Sequence, residues 1–289
     1  MKLKHRTREM FTGYAFILLW IIGFLVFTLT PLIQTLWYSF NNVKVTTDGI
    51  KTTYVGLSNF KQALLMDISF TDTLVSYISQ LVIIVPVIIV FSIIVAMLLN
   101  VNIKGRGLFR TIYFLPVIIT SGPVIKKLMD EGATTFPGLE QYIKMAEIQQ
   151  SFPPLIAKMI AFLVSSFIII LWFSGVQIQI FLSGLQKLDK SMYEAAGIDG
   201  ASKWEAFWKL TLPAMNPLIV VNVVYTVIMY SVFALNPVIG MIEKAMYSPS
   251  QGFGYSSALS WIYFLVLLIV LGIFVALTTH RDKKVKHVV

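Results

Sequence analysis

The sequence predicts an all-α integral membrane protein with six transmembrane helices, and three observations carry that prediction. Of its 289 residues 57% are hydrophobic and only 13% are charged, with a mean hydropathy of +0.78. A soluble domain carries roughly 25% charge and about 45–50% apolar residues. The charges leave long uncharged intervals, most of them wide enough for the ~20 helical residues that cross an apolar layer of about 30 Å. The basic residues also divide unevenly between the segments joining those intervals, as in multi-span chains whose orientation is set by lysine and arginine.

No residue between Glu9 and Lys44 is charged, which puts the first span at about 11–37 behind a short arm of residues 1–10. The run is too long for a signal peptide and lacks a cleavage site of small residues. The second span, 74–100, lies between Asp72 and Lys104. The third, 107–129, is the tightest fit, because only Thr111 to Ile125 is free of charge, roughly 22 Å as helix. Arg110, Lys126 and Lys127 then snorkel at its ends, or Lys126 faces a wet path. The fourth span, 157–184, precedes Lys187; the fifth, 217–240, lies between Lys209 and Glu243; the sixth, 258–280, follows Lys244. Pro31, Pro86, Pro116 and Pro237 fall in apolar surroundings, where each kinks or caps a span. Between the first two spans the polar segment 41–73 is expected to hold a short helix starting near Ser58. Gly138–Ile148, with Leu139, Tyr142, Ile143 and Ala146 on one side, reads as an amphipathic outer cap helix. No linker, low-complexity tract or close repeat interrupts the chain, so one domain, 1–289, accounts for it.

Orientation follows from the basic residues. With both termini inside, the arm, Lys104–Arg110, the segment between spans four and five and the tail hold fifteen of them, for a net +9, while the outer segments net zero. Both termini are therefore expected in the cytoplasm of a multi-pass protein. The pI near 9.6 reflects this sorting rather than a basic soluble face, so nucleic acid is not an expected partner. No cysteine is present, which excludes disulfides and thiolate metal sites.

Residues 185–216 form the longest stretch of mixed charge between apolar runs. Ser191-Met192-Tyr193-Glu194 fits a capping box, with Ser191 as N-cap and Glu194 folding back. Ala195 and Ala196 favour helix, and Asp199-Gly200 ends it, because glycine accepts left-handed backbone angles. Ser202 and Glu205 repeat the box, and Pro213 and Pro217 restart the chain as the fifth span. The expectation is two short helices about a turn at Gly200.

At these residues the sequence becomes specific. Glu194-Ala195-Ala196, three residues, Gly200, nine residues, then Leu210-Thr211-Leu212-Pro213 resembles the EAA loop of bacterial ABC importer permeases, with leucine in place of the usual isoleucine. Two further strings, Gly56-Leu57-Ser58-Asn59-Phe60 and Gly105-Arg106-Gly107-Leu108-Phe109-Arg110 leading to Phe114-Leu115-Pro116, resemble the sugar-transporter branch, the relatives of the maltose and glycerol-phosphate permeases. The resemblance implies the type I importer transmembrane fold and a bacterial cell-membrane location. It implies a coupling loop in which Glu194, Ala195, Ala196, Asp199, Gly200, Leu212 and Pro213 engage an ATPase. It also implies partners: a second homologous permease, two copies of the ATP-binding subunit, and an extracytoplasmic solute-binding protein that delivers a carbohydrate. ATP and magnesium would be bound by the ATPase, leaving this chain without a cofactor. A different reading of the loop lays it on the lipid headgroups through Lys187, Lys190, Lys203 and Lys209, but headgroup binding does not explain the motif's spacing.

The chain carries no P-loop, HExxH or GxSxG string, and His5, His280 and His287 lie in charged ends. Catalysis is therefore not expected of it. For the solute path, Asn222, Tyr225, Met229, Phe233 and Asn236 form one stripe of the fifth span, and Ser165, Trp172, Gln179, Ser183 and Gln186 one of the fourth. Polar groups at bilayer depth face protein or a wet cavity. Trp172, Gln179, Asn222, Tyr225, Tyr230 and Asn236 could offer a sugar aromatic planes and amides, or equally hold helices together by hydrogen bonds. No acid or base lies inside an uncharged interval, which speaks against a proton-coupled secondary transporter. A scaffold subunit and an importer of another solute class are the other rivals.

Overall fold

A computed structural model describes residues 2–46, 49–101, 152–233 and 235–285, together with Gly107, Thr111 and Lys127. The expected third span, the outer cap helix and the Gly105–Pro116 string lie largely or wholly outside the described residues.

The chain is mostly helical. α1 (Lys2–Phe24) continues through a π-helical turn at Leu25–Leu29 into α2 (Thr30–Ser39). Pro31 sits in the first turn of α2; having no N–H to offer the preceding turn, it is accommodated by the wide turn before it. Among the described residues the apolar side chains of this first span find no cover. β1 (Asn41–Thr46) and β2 (Gly49–Tyr54) then pair antiparallel, with Asn41 opposite Tyr54 and Thr46 opposite Gly49. This hairpin departs from the all-helical expectation. The alternation Asn42-Val43-Lys44-Val45 followed by Asp48-Gly49 is the signal that could have found it.

The expected short helix, α3 (Ser58–Lys61), is present and runs into a second π turn at Gln62–Met66. Its neighbourhood explains the Gly56–Phe60 string. Gly56 has a φ of 57°, which a side chain resists. The Asn59 amide donates to the Ser39 and Asn41 carbonyls at 2.9 and 3.0 Å, and the Phe60 ring lies 5.3 Å from that of Phe40. α4 (Ile68–Asn100) follows; at 33 residues it measures about 50 Å and continues through Pro86. Asp67 caps it by accepting from the Phe70 amide at 3.0 Å.

The fourth span is two helices, α5 (Pro154–Ser165) and α6 (Phe167–Leu185), interrupted at Ser166. α7 (Lys190–Ile198) follows, then α8 (Lys203–Ala206), a third π turn (Phe207–Thr211) and α9 (Leu212–Ser231). α10 (Pro237–Tyr247), capped by its proline, precedes α11 (Gly252–Val285). The fifth span thus ends at Ser231 rather than running to 240, because Asn236 and Pro237 start a separate helix. Among the described residues four helices are long and apolar enough to cross a bilayer, Thr12–Ser39, Ile68–Asn100, Lys203–Ser231 and Gly252–Thr279; the bent pair Ile169–Leu185 and Lys190–Ile198 makes a fifth.

The chain divides into two compact units. One comprises residues 1–74 and 238–266. Here the Tyr255 hydroxyl donates to Asp67 Oδ2 at 2.8 Å, and Gly254 lies so close to the Asn41 carbonyl that no side chain would fit. The other comprises 75–237 and 267–289. Its core is built from Leu81, Ile84, Val85 and Ile88 of α4 and Ile178, Phe181 and Leu182 of α6, all buried, and α6 packs along α9.

Candidate functional site

The loop 185–216 belongs to the second unit. α7 turns away from α6 by 66°, and hydrogen bonds to the last carbonyls of α6 tighten the corner: Gln186 N–H to Leu182 and Lys187 N–H to Gly184. The N-cap of α7 is Asp189, not Ser191. Asp189 is extended, and its carboxylate accepts from the Ser191 amide at 3.0 Å. An ionised carboxylate is the stronger acceptor and sits one residue before the helix, so it takes the role assigned from sequence to the Ser191 hydroxyl. The same bond holds Asp189 below the usual carboxylate range.

The end of α7 is closed by two reverse hydrogen bonds, Ala201 N–H to Ala196 O at 2.9 Å and Gly200 N–H to Gly197 O at 3.1 Å. This is a Schellman motif with Gly200 in the left-handed position, at φ 81°. The second capping box forms as read. Glu205 N–H donates to Ser202 Oγ at 3.2 Å and Ser202 N–H to Glu205 Oε2 at 2.9 Å. That amide, then the Ser202 hydroxyl and Lys209, lower the Glu205 pKa.

The expected knob of two short helices is modified in one respect. α8 does not stop but passes through the π turn into α9, giving one helical stretch Lys203–Ser231. Pro213 is no barrier, because the π turn just before it, Phe207–Thr211, accommodates a residue that has no N–H to offer the preceding turn. Leu212 and Pro213 are half-buried at this entry. Tyr193 and Thr211 share a hydrogen bond of 2.8 Å between their hydroxyls, tying α7 to the root of the fifth span; the sequence reading missed both residues. At the root of the loop, Gly184 of α6 lies against Leu218 and Met215 of α9, and an added Cβ would stand 3.1 Å from the Met215 thioether.

What the loop offers outward is a small-residue surface with two carboxylates, Glu194 and Asp199. Glu194, Ala195, Gly197, Asp199 and Gly200 are exposed, Ala196 is half-buried, and Ile198 is 87% exposed. Glu194 makes no hydrogen bond or ion pair among the described residues.

The residues named for a solute path separate into two groups. Tyr230 and Asn236 are buried and engaged. Tyr230 stacks on Tyr77 at 5.5 Å and meets Phe173 edge-on at 5.4 Å, and the Tyr77 hydroxyl donates to its carbonyl. The Asn236 amide donates to Ser231 O at 2.7 Å, closing the end of α9. Asn222 is different. It is fully buried, yet among the described residues neither its amide nitrogen nor its oxygen has a partner. Next to it Gln177 Nε2 donates to Thr226 Oγ1 at 2.8 Å, and Thr226 Oγ1 donates to Asn222 O at 2.7 Å; Gln177 Oε1 and the Trp172 indole N–H are also buried without a partner. Gln177 was not singled out from sequence, although a second glutamine two residues before Gln179 was its signal. Two residues apart on a helix are nearly opposite faces. Gln179 and Tyr225 are half-buried, and Ser183 and Gln186 are exposed, so Gln179, Ser183 and Gln186 lie on the more open side of α6, whereas the Trp172 N–H is buried and Gln177 faces α9.

A sequence model of the family described as "Binding-protein-dependent transport system inner membrane component" matches residues 63–287. The chain is 30% identical to the probable ABC transporter permease protein YesP of Bacillus subtilis, over 92% of this chain and 88% of that protein. It is 28% identical to the multiple sugar-binding transport system permease protein MsmF of Streptococcus mutans, over 94% and 95%. Among solved structures it resembles a chain of a bacterial alginate ABC transporter crystallised with an alginate pentasaccharide-bound periplasmic protein. The TM-score is 0.64 at 18% identity, covering 99% of this chain and 98% of that one, a likeness of fold.

Proposed function

The chain belongs to the family of binding-protein-dependent transport system inner membrane components, and on that premise we propose that it is one permease subunit of an ATP-driven importer for a carbohydrate, an oligosaccharide in the first instance. The sugar transport named for MsmF and the alginate of the structural neighbour support that cargo. In this reading the chain crosses the membrane six times with both termini in the cytoplasm, and a second permease completes the path. Two ATP-binding subunits grip the loop from inside, supplying the nucleotide and magnesium chemistry, and a binding protein delivers solute from outside. Glu194 pairs with a basic residue of the ATPase, while Ala195, Ala196 and Gly197 let its backbone approach α7. Asp199 and Gly200 set the turn, and Leu212 and Pro213 pass the movement into α9. Asn222, with Trp172, Gln179 and Tyr225, lines the path; Tyr230 and Asn236 hold its wall.

The observation that carries the reading is the uncommitted Glu194 on an exposed helix that is itself fastened to the fifth span through Tyr193 and Thr211. The experiment is Glu194→Lys in the assembled transporter. The variant should insert and assemble with its sister permease, but lose ATPase co-purification and solute uptake. Normal uptake with the ATPase bound would dismiss the coupling role.

A further inference from the structure

Where the ends of α4 and α6 meet α7, α8 and the π turn before α9, a cleft of about 240 Å³ opens. Its polar lining is Lys203, Asn100, Tyr193 and Thr211, and its apolar wall includes Leu185 and Phe207. Among the described residues no carboxylate lines it. Glu205, two residues beyond Lys203, is committed to Ser202 and lies 3.7 Å from Lys209, whereas Lys203 makes no ion pair or hydrogen bond among the described residues. One uncommitted cation, amide and hydroxyl donors and no acid select an anion.

The position of the cleft says by which route the anion arrives. Asn100 ends the long apolar helix α4, Leu185 ends α6, and Thr211 sits where the π turn passes into α9; two apolar helices therefore reach their polar ends beside the base of a third. Beside the cleft Trp204 and Trp208, one helical turn apart, are 69% and 48% exposed, and their rings meet edge-on at 5.5 Å. Exposed tryptophans next to lysines mark the headgroup level of a bilayer. Continuing from Asn100, the sequence also places Lys104, Arg106 and Arg110 within ten positions.

We propose that this cleft binds the headgroup phosphate of an anionic phospholipid. The phosphate sits on the Lys203 ammonium with Asn100 beside it, and the glycerol and upper acyl carbons lie against Leu185 and Phe207. A lipid in that place touches α7 at Tyr193 and the root of α9 at Thr211, so it braces the same joint as the hydrogen bond between them. The proposal rests on the membrane embedding argued above, not on the coupling role.

The full chain, purified in detergent and stripped of lipid, is titrated with phosphatidylglycerol or phosphatidylcholine and the bound lipids are counted by native mass spectrometry. Phosphatidylglycerol should bind the wild type more tightly than phosphatidylcholine, and Lys203→Ala should weaken phosphatidylglycerol about fivefold. Lys203→Arg should retain the preference, as should Lys209→Ala, whose charge already faces Glu205. Circular dichroism of each variant confirms the same helix content. Three outcomes overturn the proposal: no preference for the anionic lipid; an equal loss in Lys209→Ala, which would mean diffuse charge; or displacement by excess inorganic phosphate, which would mean a soluble anion. The assay uses neither ATPase nor uptake, so its failure leaves the coupling reading standing, and failure of Glu194→Lys to uncouple leaves this one standing.

Discussion

Gly200 offers a test in which backbone geometry and partner contact predict opposite orders. Its φ is 81°, and an added Cβ would meet nothing within 4 Å in this chain. Replacing it by alanine therefore creates no internal clash, and the cost is the left-handed backbone alone, about 1–2 kcal/mol for a residue with a Cβ. Restriction of the unfolded chain returns about 0.4–1 kcal/mol, leaving a net loss of roughly 1 kcal/mol at the Schellman turn. Asparagine tolerates this conformation better than alanine, and valine worse. If Gly200 serves the turn alone, coupling follows the order Gly, Asn, Ala, Val. If an ATPase packs against it, size decides and asparagine falls below alanine. We expect the first order, because Gly200 closes both reverse hydrogen bonds at the end of α7. The assay is ATP hydrolysis stimulated by loaded binding protein in proteoliposomes, read beside ATPase co-purification. Asparagine worse than alanine, or valine equal to wild type, would refute the turn argument.

Three further outcomes follow from the geometry. Tyr193→Phe removes the hydroxyl shared with Thr211 and should cost about 1 kcal/mol of loop stability; a double-mutant cycle with Thr211→Val that returns no coupling energy would show the bond to be idle. Asn222→Leu replaces a buried amide whose two polar atoms are unpartnered, so thermal stability should hold or rise while uptake falls; an unstable variant would mean the amide is structurally satisfied. Asp189 and Glu205 both have lowered pKa values, so their caps stabilise fully above the unfolded values of about 3.9 and 4.3 and are lost as pH falls through the lower folded ones. Carboxyl carbon resonances of the two residues should titrate below those unfolded values, and a midpoint at or above them would contradict the caps.

The residues legible in the sequence are those whose partners lie a few positions away. Glu205 lies three residues after Ser202, and Gly200 must follow a helix end, so the box and the turn were fixed by local chemistry. The Asp189 cap was missed because Ser191 and Glu194 also satisfy a capping pattern, and only the backbone decides between two overlapping ones. Tyr193 and Thr211 stand 18 residues apart, joined by a turn whose angle no local rule sets. Gln177 was passed over for Gln179 because periodicity gives the faces of a helix but not which face meets a neighbour. The hairpin escaped because its short alternating runs lie in a segment read as polar loop, and two of its six pairs rest on Asn41 and Val43, buried by what packs on them.

The continuity of α8 into α9 changes what the loop can do mechanically. Two independent helices about a flexible joint would absorb a push at Glu194 by bending between them. Here the helical stretch Lys203–Ser231 has 29 residues, a lever of about 43 Å. α7 meets it at two places, through the four-residue connection 199–202 that contains Gly200 and through the Tyr193–Thr211 hydrogen bond. A force on the face of α7 then acts on the lever at separated points, which resists bending and favours tilt. At Gly184 the missing side chain lets Met215 and Leu218 of α9 pack directly on the backbone of α6, and the proposed coupling would use this contact as its bearing. The unpartnered Asn222 lies further along the same lever, beyond that pivot, where a tilt separates it from Gln177 of α6. Under the proposed coupling, a push at the loop would separate Asn222 from Gln177, where, among the described residues, buried polar atoms lack partners.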